Sequence, residues 1–435
     1  MTMTSRSSNK MKMGSSLIVS AITLLPLVGA FPGLTSIRFH LFGFLFPSQL
    51  LLVGIAAFLA FAYLVISPGA ISLSYKHIGT MFCLAYILFL LWGFISASAN
   101  LYSFTKVLIQ GLWLLIPTLY GYCITGIFIK KSADIFSVLF TSVVSLAMFG
   151  LFLVLYNIAI YKAAFLVNRL YCPGLGSVIS GYTFSFAIAI AYILKKDISG
   201  RYKKILSTAV IILLIAVFWT GSRGGVYPAL IMTALYFIPE SNHAALFLLS
   251  LACLILFLTL DPLDYLFSGR MGSIESGRYS TWTSLLDILD NAGIGRKLFG
   301  FGLGNIFPYQ QWFSNYSDGI ILHGNADGAW NHFCFNGVSL LVQPHNSWLW
   351  FLAECGLFGL IAMAAIFACM IFKPGVSARS RFAFSLVCFS FIALNCFDSV
   401  VFVNMASATW WMLLFLSFSY VLSERTQCNG YFFDK

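Results

Sequence analysis

Apolar runs about as long as a bilayer is thick constrain this chain more than any other feature. A hydrocarbon layer about 30 Å thick needs roughly 20 apolar residues in helical form. Runs near that length fall at 15–33, 48–67, 77–97, 107–129, 134–161, 178–194, 205–220, 224–238, 244–261, 347–372, 382–400 and 403–422. The expected fold is therefore an all-α integral membrane protein with about twelve transmembrane helices. The first run has no convincing small-residue cleavage site after it and is expected to stay as a span. No repeat of 20–50 residues is visible. Only 9% of residues are charged and the mean hydropathy is +0.90, so the few charges near the bilayer are where function is to be sought.

The net charge of +11 does not point to nucleic acid, because its placement follows the membrane. With the N-terminus in the cytoplasm, most lysines and arginines fall in inside segments. The densest cluster, Lys195, Lys196, Arg201, Lys203 and Lys204, lies in one of them. That is the bias of cytoplasmic loops, and it places both termini inside. Three regions follow: 1–261 with about nine helices, a large exterior loop at 262–346, and 347–435 with about three more and a short tail. The cysteines mostly sit inside spans, as small hydrophobes. Cys172 and Cys334 fall in outward loops, and nothing in the sequence pairs them. No spacing of Cys, His or carboxylates suggests a metal site, so no metal or cofactor is expected.

The exterior loop divides in three. Residues 276–290 read as an amphipathic helix, with Trp282, Leu285, Leu286 and Leu289 on one face. Residues 299–305, Phe-Gly-Phe-Gly-Leu-Gly-Asn, suggest a tight turn against a surface. Residues 308–340 are rich in Asn, Gly, His and aromatics without clear periodicity. Beyond them, Pro344-His345-Asn346-Ser347 opens the next run, where Asn or Ser caps the helix. His323 and His332 read as ordinary loop residues. Glu354 and Asp398 are expected to face the bundle interior or an interface.

Arg223, within Thr220-Gly-Ser-Arg-Gly-Gly225, stands where one run ends and the next begins. It either snorkels to the headgroups or faces a ligand, and the flanking glycines favour close approach. Arg278, at the start of an amphipathic helix, is slightly unfavourable to the helix dipole and needs another reason to be there. Arg169 and His345 fall on the same side of the membrane. Arginine forks suit a diphosphate and the negative charge of its departure. Histidine titrates near neutrality and can take a proton from a hydroxyl. Together they suggest group transfer from a diphosphate-linked donor to a hydroxyl at the outer interface. A transporter or flippase would instead place its charges through the membrane depth.

Ser222-Arg223-Gly224 at a span start, Arg278 followed by Trp282, the 299–305 turn, and His345-Asn346 with Leu349, Glu354, Gly356 and Gly359 come in an order and spacing that resembles the superfamily of O-antigen ligases and O-antigen polymerases. The likeness is most specific over residues 205–372. It implies a metal-independent, inverting glycosyltransferase of GT-C type in the bacterial inner membrane, with its active site facing the periplasm. The donor would be a glycan on undecaprenyl diphosphate. The acceptor would be lipid A-core for a ligase, or the next lipid-linked repeat unit for a polymerase of O-antigen, capsule or exopolysaccharide. In that likeness Arg223, Arg278 and Arg169 engage the diphosphate and His345 is the base, with Ser222, Gly224, Trp282 and Asn346 in support. Ligase is the favoured expectation.

Overall fold

The computed structural model of the chain describes residues 13–28, 38–41, 44–67, 73–96, 101–131, 134–162, 170, 176–239, 278–303, 305–307, 323–324, 331–335, 338–341, 345–374, 376–396 and 405–429. Among them the architecture is helical. In chain order the membrane-like helices are α1 (Met13–Val28), α2 (Ser48–Ile66), α3 (Leu73–Ser96), α4 (Leu101–Lys130), α5 (Ile135–Tyr161), α6 (Gly176–Leu194), α7 (Gly200–Thr220) and α8 (Arg223–Phe237). Two shorter helices follow, α9 (Arg278–Asp290) and α10 (Ile294–Phe299), then α11 (Ser347–Ile371), α12 (Ala378–Cys396) and α13 (Ser407–Asn429). Each apolar run has a helix at its place except 244–261, which lies outside the described residues. Tyr75–Ile95, Gly111–Lys130, Ile135–Tyr161, Gly176–Asp197, Gly200–Thr220 and Ser347–Ile371 are long and apolar enough to cross a membrane. Segments such as Leu50–Ile66 and Gly224–Phe237 are apolar but shorter.

The connections also hold short antiparallel ladders that the sequence did not suggest. Strands β1 (Arg38–Leu41) and β2 (Phe44–Pro47) form a hairpin before α2. In the large loop, β3 (His323–Gly324), β4 (Asn331–Phe335) and β5 (Val338–Leu341) form a three-stranded sheet in which His323 pairs with His332. These strands fall where no periodicity was visible, because backbone pairing rather than an alternating apolar face defines them.

Two helices make the centre. In α13, residues 407–418 are buried all round, as are residues 180–191 of α6. A helix apolar on every face must be enclosed, and these two are. The outer helices expose large side chains such as Leu51, Phe58, Ile66, Leu84 and Leu88, the surface that lipid would cover. Since lipid is as apolar as leucine, contacts between helices rest on fit and on hydrogen bonds. The Thr23 and Ser142 hydroxyls lie 2.9 Å apart and those of Ser20 and Ser145 2.7 Å, joining α1 to α5. Thr409 donates from α13 to the Thr23 carbonyl, and Trp410 Nε1 donates to Thr183 of α6.

Lysines gather at one end of this bundle. Lys130 at the end of α4 donates to the Leu64 and Ser67 carbonyls at the end of α2. Lys195, just past α6, donates to Ile238 at the end of α8, and Lys196 donates to Ser380 at the start of α12. The same helices fix the opposite end: α8 begins at Arg223, and near the end of α12 Asn395 accepts from Ser347 at the start of α11. Arg223 and His345 therefore stand at the end away from the basic rim.

Candidate functional site

The segment before α8 is built to bring its first residues against α6. Gly221 ends α7 with φ of 60°, and the buried Ser222 caps α8 by accepting the Gly225 amide at 3.3 Å. The Thr220 hydroxyl accepts the Ser222 amide, which holds the turn from inside. A Cβ on Gly225 would lie 2.9 Å from the Gly181 carbonyl carbon, so backbone meets backbone here. Arg223 is the first helical residue and Gly224, buried, the second. The Arg223 side chain lies outside what the structure describes.

Arg169 and the Arg278 side chain are also outside the described residues, but their neighbours are placed. The Leu170 amide donates to the Trp219 carbonyl at 2.9 Å. That bond pins the residue after Arg169 to the end of α7, four positions before Arg223. Arg278 is the first residue of α9, which lies against β5, α10 and α11. The amphipathic face of α9 is shifted from the expected one: Thr281, Leu285 and Leu289 are buried, Trp282 is half-buried and Leu286 is exposed. Periodicity places Leu286 inward with the stripe, but a partner contacting only one narrow face leaves it outside.

His345 stands at the mouth of α11. It is 8% exposed and has φ of 50°. Few non-glycine residues adopt this left-handed backbone, although histidine does so more readily than most. Directly after it, the Asn346 side chain accepts the Trp348 and Leu349 amides, both at 3.0 Å, as the expected cap. Ser347 and Trp348 then tie α11 to α12 through Asn395 and the Ile392 carbonyl. The histidine's backbone is thus held by a capped helix that is itself anchored on a second one.

The glycine-rich turn does more than pack on a surface. α11 is broken at Gly356, whose φ of 69° and ψ of −173° interrupt the helix roughly 14 Å from its start. The turn fills the break. The Phe301 amide donates to the Ala353 carbonyl and the Gly302 amide to the Glu354 carbonyl, both at 2.9 Å. The Glu354 carboxylate, buried as expected, accepts the Phe307 amide at 3.1 Å. On the other side Trp92 Nε1 of α3 donates to the Gly300 carbonyl at 2.8 Å. Irregular backbone this far along an apolar helix is tolerated where protein surrounds it and satisfies its polar groups.

The approach requires glycine at both contact points. A Cβ on Gly300 would lie 2.4 Å from the Glu354 carbonyl oxygen, and one on Gly356 would lie 2.3 Å from the Leu298 oxygen. The turn and Gly356 are each visible in the sequence, but their pairing and the part of Trp92 are not. The sign was a glycine inside an otherwise continuous apolar helix, beside a turn rich in glycine.

The described structure therefore brings the Arg169 neighbour to the Arg223 turn, and lays the Arg278 helix against α11. The two groups share α12 as a support, since both α8 and α11 pack on it. Asp398 lies outside the described residues. No protein-family model matches the chain, and a search of curated proteins finds no match.

Proposed function

We propose that this chain is a membrane glycosyltransferase that moves a glycan from undecaprenyl diphosphate to a sugar hydroxyl, at the bundle end away from the basic rim. The observation that carries the reading is His345, a buried residue in left-handed backbone at a helix mouth. Such strain persists where the surroundings impose it, and it clusters at sites that do chemistry. In this reading the acceptor hydroxyl oxygen attacks the anomeric carbon from the face opposite the diphosphate, which inverts the centre. His345 takes the hydroxyl proton as the new bond forms. The anomeric C–O bond breaks, and the electron pair leaves with the diphosphate. Arg223, Arg278 and Arg169 hold that anion with paired donors, so its growing charge is met by groups already oriented.

The order of Ser222-Arg223-Gly224, Arg278, the 299–305 turn and His345-Asn346 supports the likeness to O-antigen ligases and polymerases. Within that pair the proposal is the ligase, which places the polymer on lipid A-core. The site would face the periplasm of a bacterial inner membrane, with both termini in the cytoplasm. The test is the lipopolysaccharide banding of a deletion strain on a stained gel. Core bands alone, with polymer accumulating on the carrier lipid, are the expected result. Core with a single repeat unit would replace ligase by polymerase. An unchanged ladder would overturn both.

A further inference from the structure

The basic end of the bundle carries a second feature that the transfer reading does not use. A cavity of about 640 Å³ lies where α3 begins, α11 ends and α13 passes, walled by Met81, Phe372 and Phe418 and bearing His77 and Lys373. A second, of about 680 Å³, lies among α2, α3, α4 and α11, walled by Phe61, Tyr86, Leu119 and Ile366 and bearing Lys76. Thr80, one turn along α3, lines both. The two apolar cavities thus adjoin the same helix, and each has a basic residue from its first turn or just past the end of α11.

Neither cavity has a carboxylate among the described residues that line it. Lys76 and His77 are exposed and Lys373 is half-buried, and none has an ion-pair partner among the described residues. Stable lysines at a helix end need no partner when they face water. Here, however, they border cavities whose walls are mostly apolar. The complement of that pattern is a molecule with an anionic head and long apolar chains. Basic pockets between helices on the positively charged side of a membrane protein take such head groups.

We propose that this corner binds an anionic phospholipid of the adjoining leaflet, its phosphate on Lys76, His77 and Lys373 and its acyl chains in the cavities beside α3. The lipid would hold the ends of α3 and α11, the two helices that clasp the 299–305 turn further along. The assignment does not depend on the transfer reaction.

The experiment uses the full chain in phosphatidylcholine nanodiscs doped with phosphatidylglycerol that carries a photoactivatable acyl chain. Crosslinks are mapped by mass spectrometry. Labelling is expected on the α3 and α13 peptides containing Met81 and Phe418, and the matching phosphatidylcholine probe should label them far less. Each lysine near a charged lipid contributes about five-fold in affinity, so Lys76→Gln with Lys373→Gln should weaken labelling about 25-fold. Arginine at both positions should preserve it. Equal labelling by the two probes would overturn the proposal, and that comparison on the unaltered protein stands whether or not the variant folds. Undiminished labelling of a folded glutamine variant would also overturn it. So would displacement of the probe by inorganic phosphate, which would leave a free-anion site and not a lipid site.

Discussion

Gly356→Ala is expected to unfasten the 299–305 turn from α11 and to cost at least about 3 kcal/mol. The magnitude comes from two sources. An L side chain at φ of 69° and ψ of −173°, a region essentially reserved to glycine, costs about 1–3 kcal/mol before any contact is made. The new Cβ would then sit 2.3 Å from the Leu298 oxygen and 2.4 Å from the Gly300 nitrogen, both backbone atoms that no rotamer change can remove. The turn must retreat. Retreat opens the Phe301–Ala353 and Gly302–Glu354 hydrogen bonds, leaving carbonyls of residues 0% and 1% exposed. Each such orphan costs about 1–3 kcal/mol. The assay is the unfolding midpoint in detergent micelles, with Gly295→Ala as control: no atom lies within 4 Å of its Cβ. That control should be neutral or slightly stabilising, since alanine suits a helix better than glycine. Gly300→Ala should match Gly356→Ala, and the double variant should be little worse than either, because one clasp is lost only once. A Gly356→Ala protein within about 1 kcal/mol of the unaltered one would refute the reasoning.

Other expectations concern the mouth of α11 and its partners. Asn346→Ala should cost about 1 kcal/mol through loss of a cap that serves two amides, whereas Asn346→Asp should retain stability; equal midpoints for all three would show that the cap is idle. His345→Ala should abolish glycan transfer, and so should His345→Gly, but the glycine variant should be about 1 kcal/mol more stable because it accepts the left-handed backbone freely. Retained transfer in either variant would remove His345 as the base. Arg223→Lys should leave transfer severely impaired, since a point charge replaces a fork; near-normal rates would mean that the residue only positions the helix in the headgroups. EDTA should leave the rate unchanged, and inhibition reversed by a divalent ion would overturn the metal-independent mechanism.

The helices were legible because a membrane leaves a chain little choice. Their periods did not need reading: length and apolarity sufficed, and the Asn346 cap marked the start of α11. Charge was legible for a similar reason, since most lysines were expected on one side, and the contacts of Lys130, Lys195 and Lys196 form one basic rim. The face of α9 was read less well. Periodicity put Leu286 with Leu285 and Leu289, but only tertiary contact decides how wide the buried stripe is.

What sequence reading missed has a common cause. The clasp joins the backbone of residues 301 and 302 to carbonyls 353 and 354, and its partners are main-chain atoms that every residue carries. No side-chain pattern announces such a bond; the only trace is that two places must lack a Cβ. This bears on the chemistry as well. A long unbroken helix transmits any tilt of its far end to its mouth. A break at Gly356, filled from the side by the turn and backed by Trp92, separates the first turns of α11 from the rest. The short piece carrying His345 is then fixed locally, by the turn below it and by Asn395 of α12 beside it. The break therefore should not be read as a weakness in α11. It is what lets the histidine's position be set by the 262–346 loop, the part of the chain that also carries Arg278.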